Sequence, residues 1–138
     1  MSRRQLREAI FKLLFRVEFH PASDRKEQEE FFLEEEPMQE KDEMYVRNKY
    51  EQVIVLLQEI DQGLEEHSKG WEISRMGKVD LTIMRLAVYE MLYDEEIPNA
   101  VAINEAVELA KKFGKEESPS FVNGVLAKFA KEDGVIVD

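Results

Sequence analysis

The side chains at the start of the chain are of the type that holds phosphate. Arg3, Arg4, Arg7, Lys12 and Arg16 fall within the first 16 residues against a single acid, Glu8. On a helix Arg3 and Arg7 stand four residues apart and share a face, with Arg4 beside them. Guanidiniums on one exposed turn grip phosphate oxygens bidentately. About three to five such contacts give moderate, steeply salt-dependent binding. Glu8 can pair with Arg4 or Lys12 and dilute the patch, and the competing reading is an arginine cluster that only solubilises a frayed end. A second basic group surrounds Gly114, where Lys111, Lys112 and Lys115 precede Ser118. Ser118-Pro119 reads as an N-cap followed by proline at the first helical position. Such a helix start offers free backbone N–H groups to a phosphate. Phe113 and Phe121 flank this turn and are placed to stack on unpaired bases, although phenylalanines at helix ends also serve cores. Glu116 and Glu117 set negative charge in the same turn, which argues against indiscriminate binding.

Little else on the chain suits catalysis. His20 and His67 are the two imidazoles, each at an expected helix end among acids, where surface histidines are common. Neither glycine-rich phosphate-loop pattern occurs. Ser118 and Ser120 have no nearby histidine to activate them. The absence of cysteine excludes disulfides, thiolate nucleophiles and zinc–thiolate sites. Glu105 and Glu108 lie one turn apart, but the Glu-x-x-His companion of di-iron bundles is missing. A non-catalytic binding protein is expected, with no metal and no cofactor.

The charge is split. The 138 residues carry a net charge of -11, which repels nucleic acid when spread evenly. Residues 1–16 nevertheless hold five basic groups against one acid; residues 17–69 hold 6 against 16, and residues 70–138 hold 8 against 13. A basic head on an acidic body is the main electrostatic feature. No uncharged run is long enough to cross a bilayer, and charged residues interrupt any leader-like segment after Met1. A soluble cytoplasmic protein is expected.

The elements that position these groups read as helices throughout. Leu6, Ala9, Ile10, Leu13, Leu14 and Val17 mark one helix face, stopped at His20-Pro21. A second helix starts near Asp24, carries Phe31, Phe32 and Leu33, and closes at Glu34-Glu35-Glu36-Pro37. A long third helix fits residues 42–67, with Gly63 an internal cost of about 1 kcal/mol that points to close packing or an early end. Gly70 and Gly77 bracket a short segment from Trp71 to Met76, read as the seam between an N-terminal part of about 1–69 and a C-terminal part of about 70–138. Trp71 is expected to plug that seam. Three further helices follow: one through Val79 to Met91, one through Val101 to Ala110 stopped by Gly114, and one from Ser118 through Phe129. Arg85 and Glu90 suit a partly buried pair holding helices in register. Asn123-Gly124 suits close approach of two helix backbones. The fold class is all-α, one domain of about seven helices.

The second half carries strings that resemble NusB transcription antitermination factors: Val79-Asp80, Ile83 to Glu90, Ile97-Pro98, Val101 to Lys111, and Phe113-Gly114 through Ser118 to Phe121-Val122-Asn123-Gly124-Val125-Leu126. At the other end, Arg3-Arg4-Gln5-Leu6-Arg7-Glu8-Ala9 resembles that family's arginine-rich first helix. The resemblance implies two small helical bundles packed against each other. It implies pairing with NusE, a small-subunit ribosomal protein, and binding of the pair to boxA RNA of ribosomal RNA leaders within the RNA polymerase antitermination complex. By position, Arg3, Arg4, Arg7, Phe113, Ser118 and Phe121 belong to the RNA-facing set. Lys111 and Lys115 join it from the charge reading. Phe15 and Asp80 belong to the NusE-facing set. Glu117 sits where an acid tempers RNA affinity. Phe15 stands where many relatives have tyrosine, and the acidic stretch 24–43 finds no counterpart in the resemblance.

Two other classes compete. A purely structural helical homodimer, or a protein-interaction module, would leave the basic residues incidental; the apolar patch of Phe11 and Phe15 would then serve self-association. NusB-like domains also precede ribosomal RNA cytosine methyltransferases, but 138 residues without cysteine leave no room for that chemistry.

Overall fold

The computed structural model describes residues 1–68 and 71–132. Among them are seven α-helices and three single 3-10 turns, with no strand. They form two compact units, Met1–Ile54 and Val55–Asp138. The segment Trp71 to Met76, read as the seam, lies within the second unit, and the two units part between Ile54 and Val55.

In the first unit, α1 (Arg3–Phe15) opens with a capping box. The Gln5 N–H donates to Ser2 Oγ at 3.1 Å, and the Ser2 N–H donates to Gln5 Oε1 at 2.8 Å. Both of these end groups would otherwise lack partners inside the helix. Leu6, Ala9, Ile10, Leu13 and Leu14 are buried as their spacing requires, and so is Phe11. A 3-10 turn over Arg16–Glu18 ends the segment ahead of His20-Pro21. α2 (Arg25–Glu35) and α3 (Glu40–Val55) complete the unit.

The helix expected over 42–67 is two helices. α3 stops at Val55, Leu56 takes φ -97° and ψ 6°, and α4 (Leu57–His67) begins after it. Val53 to Leu57 are apolar throughout, so neither glycine nor proline marks the break and the apolar pattern runs straight across it.

The acidic stretch is organised by a few cations. Arg16 donates to Glu35 Oε2 at 2.9 Å and to Gln28 Oε1 at 3.1 Å, with its guanidinium 5.5 Å over the Phe32 ring. Arg47 donates to Glu29 Oε2 at 3.0 Å and Glu30 Oε1 at 2.7 Å. Lys26 lies 3.6 Å from Glu51 and 3.8 Å from Glu29. Glu29 is buried. Burial, then a hydrogen bond and repulsion from Glu51, push its carboxyl up to about 7 despite Lys26 and Arg47. The hydrogen bond from Arg47 holds the exposed Glu30 below its ordinary range.

In the second unit α5 (Lys78–Tyr93) packs against α4, α6 (Asn99–Phe113) and α7 (Ser118–Glu132). Every residue from Leu81 to Met91 is buried, the mark of a helix surrounded by protein. Its polar groups are therefore satisfied internally. Thr82 Oγ1 donates to the Lys78 carbonyl at 2.8 Å. Arg85 Nε and Nη2 donate to the two carboxylate oxygens of Asp61 at 2.7 and 2.8 Å. Arg85 thus holds helices in register through Asp61 of α4. Gly63 is explained by packing: a Cβ there would lie 3.3 Å from Cε2 of Phe129 on α7. The His67 ring meets the same phenylalanine edge to face at 5.0 Å.

Two outcomes follow from these pairs. Asp61→Ala leaves Arg85 buried without its carboxylate and lowers stability by about 3 kcal/mol, read as a lower Tm in thermal denaturation. For Glu29, a raised carboxyl contributes stability that is complete below about pH 4.5 and lost as pH rises through about 7. The Tm of Glu29→Gln relative to wild type therefore increases between about pH 5 and about pH 8. A difference independent of pH would show Glu29 ionised throughout.

Candidate nucleic-acid interface

The cationic groups of the two units are separate constructions. On α1, Arg3 and Arg4 are exposed in the first turn. Arg7 is not: only 9% of it is accessible, which corrects the expectation of three guanidiniums on one exposed turn. Ile10 and Phe11, three and four residues further on, are both buried, so Arg7 lies over the core-facing side of the helix. Lys12 is exposed and 3.8 Å from Glu8, while Arg16 is drawn to Glu35. The exposed basic surface of this unit's head is Arg3, Arg4 and Lys12.

Phe15 ends α1 half-buried between two rings, with Phe11 at 6.1 Å and Phe19 edge to face at 5.0 Å. Phe11 is buried and Phe19 exposed. The apolar face expected from Phe11 and Phe15 therefore consists of Phe15 and Phe19.

In the second unit the turn between α6 and α7 is held by two short-range constraints. The Gly114 N–H donates to the Ala110 carbonyl at 2.9 Å. Its φ of -93° is open to any residue, so the glycine is not there for a left-handed cap. Space requires it: a Cβ would lie 2.5 Å from Ser118 Cβ and 2.8 Å from the Ala110 oxygen. Ser118 in turn accepts the Lys115 N–H on its Oγ at 2.9 Å, and its own N–H donates to the Lys115 carbonyl at 3.0 Å. Ser118 is buried. It reaches back to tie the turn rather than capping the helix at its first position, which corrects the N-cap reading.

Around this turn the side chains gather as their spacing suggested. Lys111, Lys112 and Lys115 are exposed, as are Glu116 and Glu117. Lys111 lies 3.4 Å from Glu108, and Lys112 places its ammonium 5.5 Å over the Phe113 ring. Phe113 and Phe121 are half-buried, each with part of its ring in the core and part in solvent. Asp80 sits half-buried in the first turn of α5.

Two readings from sequence are overturned here. Trp71 is 53% exposed and so plugs nothing; its ring meets Phe121 edge to face at 5.0 Å. A lone tryptophan among glycines carries no signal that names its ring partner. Asn123 and Gly124 are exposed, and nothing lies within 4 Å of a Cβ built on Gly124. No second backbone approaches there.

The arrangement offers cations and aromatic edges. Among the described residues no group of three His, Asp or Glu side chains is placed to hold a metal ion, and no helix is long and apolar enough to cross a membrane.

The sequence model of the NusB family matches residues 4–131. The transcription antitermination protein NusB of Agathobacter rectalis is 52% identical over 94% of this chain and 100% of its own length. The structure of T. maritima NusB superposes with a TM-score of 0.82 at 37% identity, covering 96% of this chain and 92% of that one. A crystal structure of antitermination factors NusB and NusE in complex with dsRNA matches with a TM-score of 0.82 at 27% identity, over 96% of this chain and 99% of that one.

The glycines of this region make opposite outcomes. Gly114→Ala drives a methyl group into Ser118 and costs about 1–3 kcal/mol. Gly124→Ala meets open space in an exposed helix and gains up to about 1 kcal/mol. Thermal denaturation of the two variants beside wild type distinguishes them by sign.

Proposed function

The chain belongs to the NusB family, and from that premise we propose that it is a cytoplasmic, non-catalytic adaptor that pairs with NusE and binds boxA RNA of ribosomal RNA leaders. In this role it joins the RNA polymerase antitermination complex. The observation that carries the reading is the α6–α7 turn of the second unit. Its three exposed lysines stand beside two half-buried phenylalanine rings, the pairing of backbone charge and base stacking that single-stranded RNA requires.

Arg3 and Arg4 take phosphates from the first unit, and Lys111 and Lys115 take them from the second. Phe113 and Phe121 supply base contacts. Arg7 and Ser118 act behind these surfaces: Arg7 supports α1 below the exposed arginines, and Ser118 fixes the turn that presents Lys115. Phe15 of the first unit and Asp80 of the second are the residues proposed to meet NusE. Phenylalanine offers NusE ring packing without a hydroxyl.

A chain of charge -11 with few exposed cations binds a polyanion weakly alone. NusE, contributing further positive charge, solves that electrostatic problem. Fluorescence anisotropy of a short labelled boxA RNA, with and without NusE at two salt concentrations, tests the reading. Weak binding alone that tightens strongly with NusE is the expected result. Arg3→Ala with Arg4→Ala lowers affinity and reduces the magnitude of the salt slope by about 1–2. No binding with NusE present at low salt would overturn the function and bring a homodimer forward.

A further inference from the structure

Trp71 is the chain's one tryptophan, and a tryptophan serving the core is largely buried. Here 53% of it is accessible although its backbone is hydrogen-bonded to Ser68. The Trp71 N–H donates to the Ser68 carbonyl at 2.8 Å, and Ser68 Oγ donates to the Trp71 carbonyl at 2.9 Å. Ser68 itself is buried. The indole is thus held out toward solvent from an anchored position.

Its ring partner connects it to the lysine turn. Trp71 and Phe121 meet at 5.0 Å with their planes 64° apart, edge to face rather than stacked, so the pair does not cover both faces of both rings. Phe121 lies in the first turn of α7, its N–H donating to the Glu117 carbonyl at 3.1 Å. It is three residues beyond Ser118, whose hydroxyl holds Lys115. Exposed indole, half-buried phenylalanine and exposed ammonium therefore belong to one end of the second unit.

We propose that Trp71 and Phe121 form a stacking subsite for an unpaired RNA base, with the flanking phosphates on Lys115 and its neighbours. This rests on the RNA-binding reading above and adds a residue to it. Every base has a π-face, so the subsite tolerates sequence and contributes affinity rather than base identity. A nucleotide uses both features at once: its base meets the rings while its phosphate meets the lysines. An apolar protein segment would cover the rings but make no use of the exposed Lys115 ammonium.

The test is anisotropy of labelled boxA RNA with the full chain and NusE, comparing wild type, Trp71→Ala, Trp71→Phe and Lys115→Ala. Stacking at Trp71 predicts a loss of roughly tenfold for Trp71→Ala with an unchanged salt slope, and recovery of most of the loss in Trp71→Phe. Lys115→Ala instead reduces the slope. In the chain without NusE at low salt, RNA quenches Trp71 emission in step with binding. Equal RNA affinity of wild type and Trp71→Ala, with quenching absent, overturns the subsite while leaving RNA binding standing. A loss of NusE affinity in Trp71→Ala without loss of RNA contact overturns it in favour of a protein contact. Failure of wild type to bind RNA overturns both readings.

Discussion

Arg85 sits on the stretch of α5 from Leu81 to Met91 that is buried all round, so its guanidinium must find a carboxylate within the protein, and Asp61 of α4 provides it in bidentate form. A fork of two parallel hydrogen bonds fixes direction as well as distance. It therefore sets how α4 lies along α5. On α4, two residues beyond Asp61, Gly63 leaves room for the Phe129 ring, and His67 further along meets that ring edge to face. Phe129 belongs to α7, and the start of α7 carries the turn with Lys115 and Ser118. Each link is a short-range steric or polar contact, and together they transmit the placement of a buried ion pair to the surface that meets solvent.

The first unit solves a different problem with the same economy of cations. Its acids outnumber its bases, yet Arg47 and Lys26, each shared among several carboxylates, tie α2 to α3. Glu29 is too deeply placed to remain fully ionised near neutrality, and a hydrogen bond with Glu51 spares one charge. Acidic helices so arranged need no matching basic partner for every residue. The Glu34-Glu35-Glu36 run stays exposed, with Glu35 held by Arg16.

The helical class was legible because periodicity is a property of whole segments. α1, α2, α5, α6 and α7 fall where their apolar spacing and their proline or glycine stops put them. The break at Leu56 was not legible, since it interrupts an unbroken apolar run. Individual site residues were readable only as types. Spacing put Arg3 and Arg7 on one face but could not say that the core rises over that face by the second turn. Gly114 read as a backbone-conformation glycine and proved to be a steric one, because the atom it must avoid, Ser118 Cβ, is fixed by a turn whose geometry no pattern states. Trp71 was misplaced for the same reason: its hydrogen bonds to Ser68, three residues back, and its exposure are stated by no pattern in the sequence. Asn123-Gly124, which read as a crossing point, is open surface.

The anchored indole has a kinetic meaning. A side chain presented on a clamped backbone has already lost most of the freedom that a ligand would otherwise have to freeze out, and with two χ angles it has little more to lose. Interactions built on such a group ask for little further ordering of that side chain when they form. Their lifetimes are governed by how the contact breaks, and not by how often the protein happens to be in the right shape.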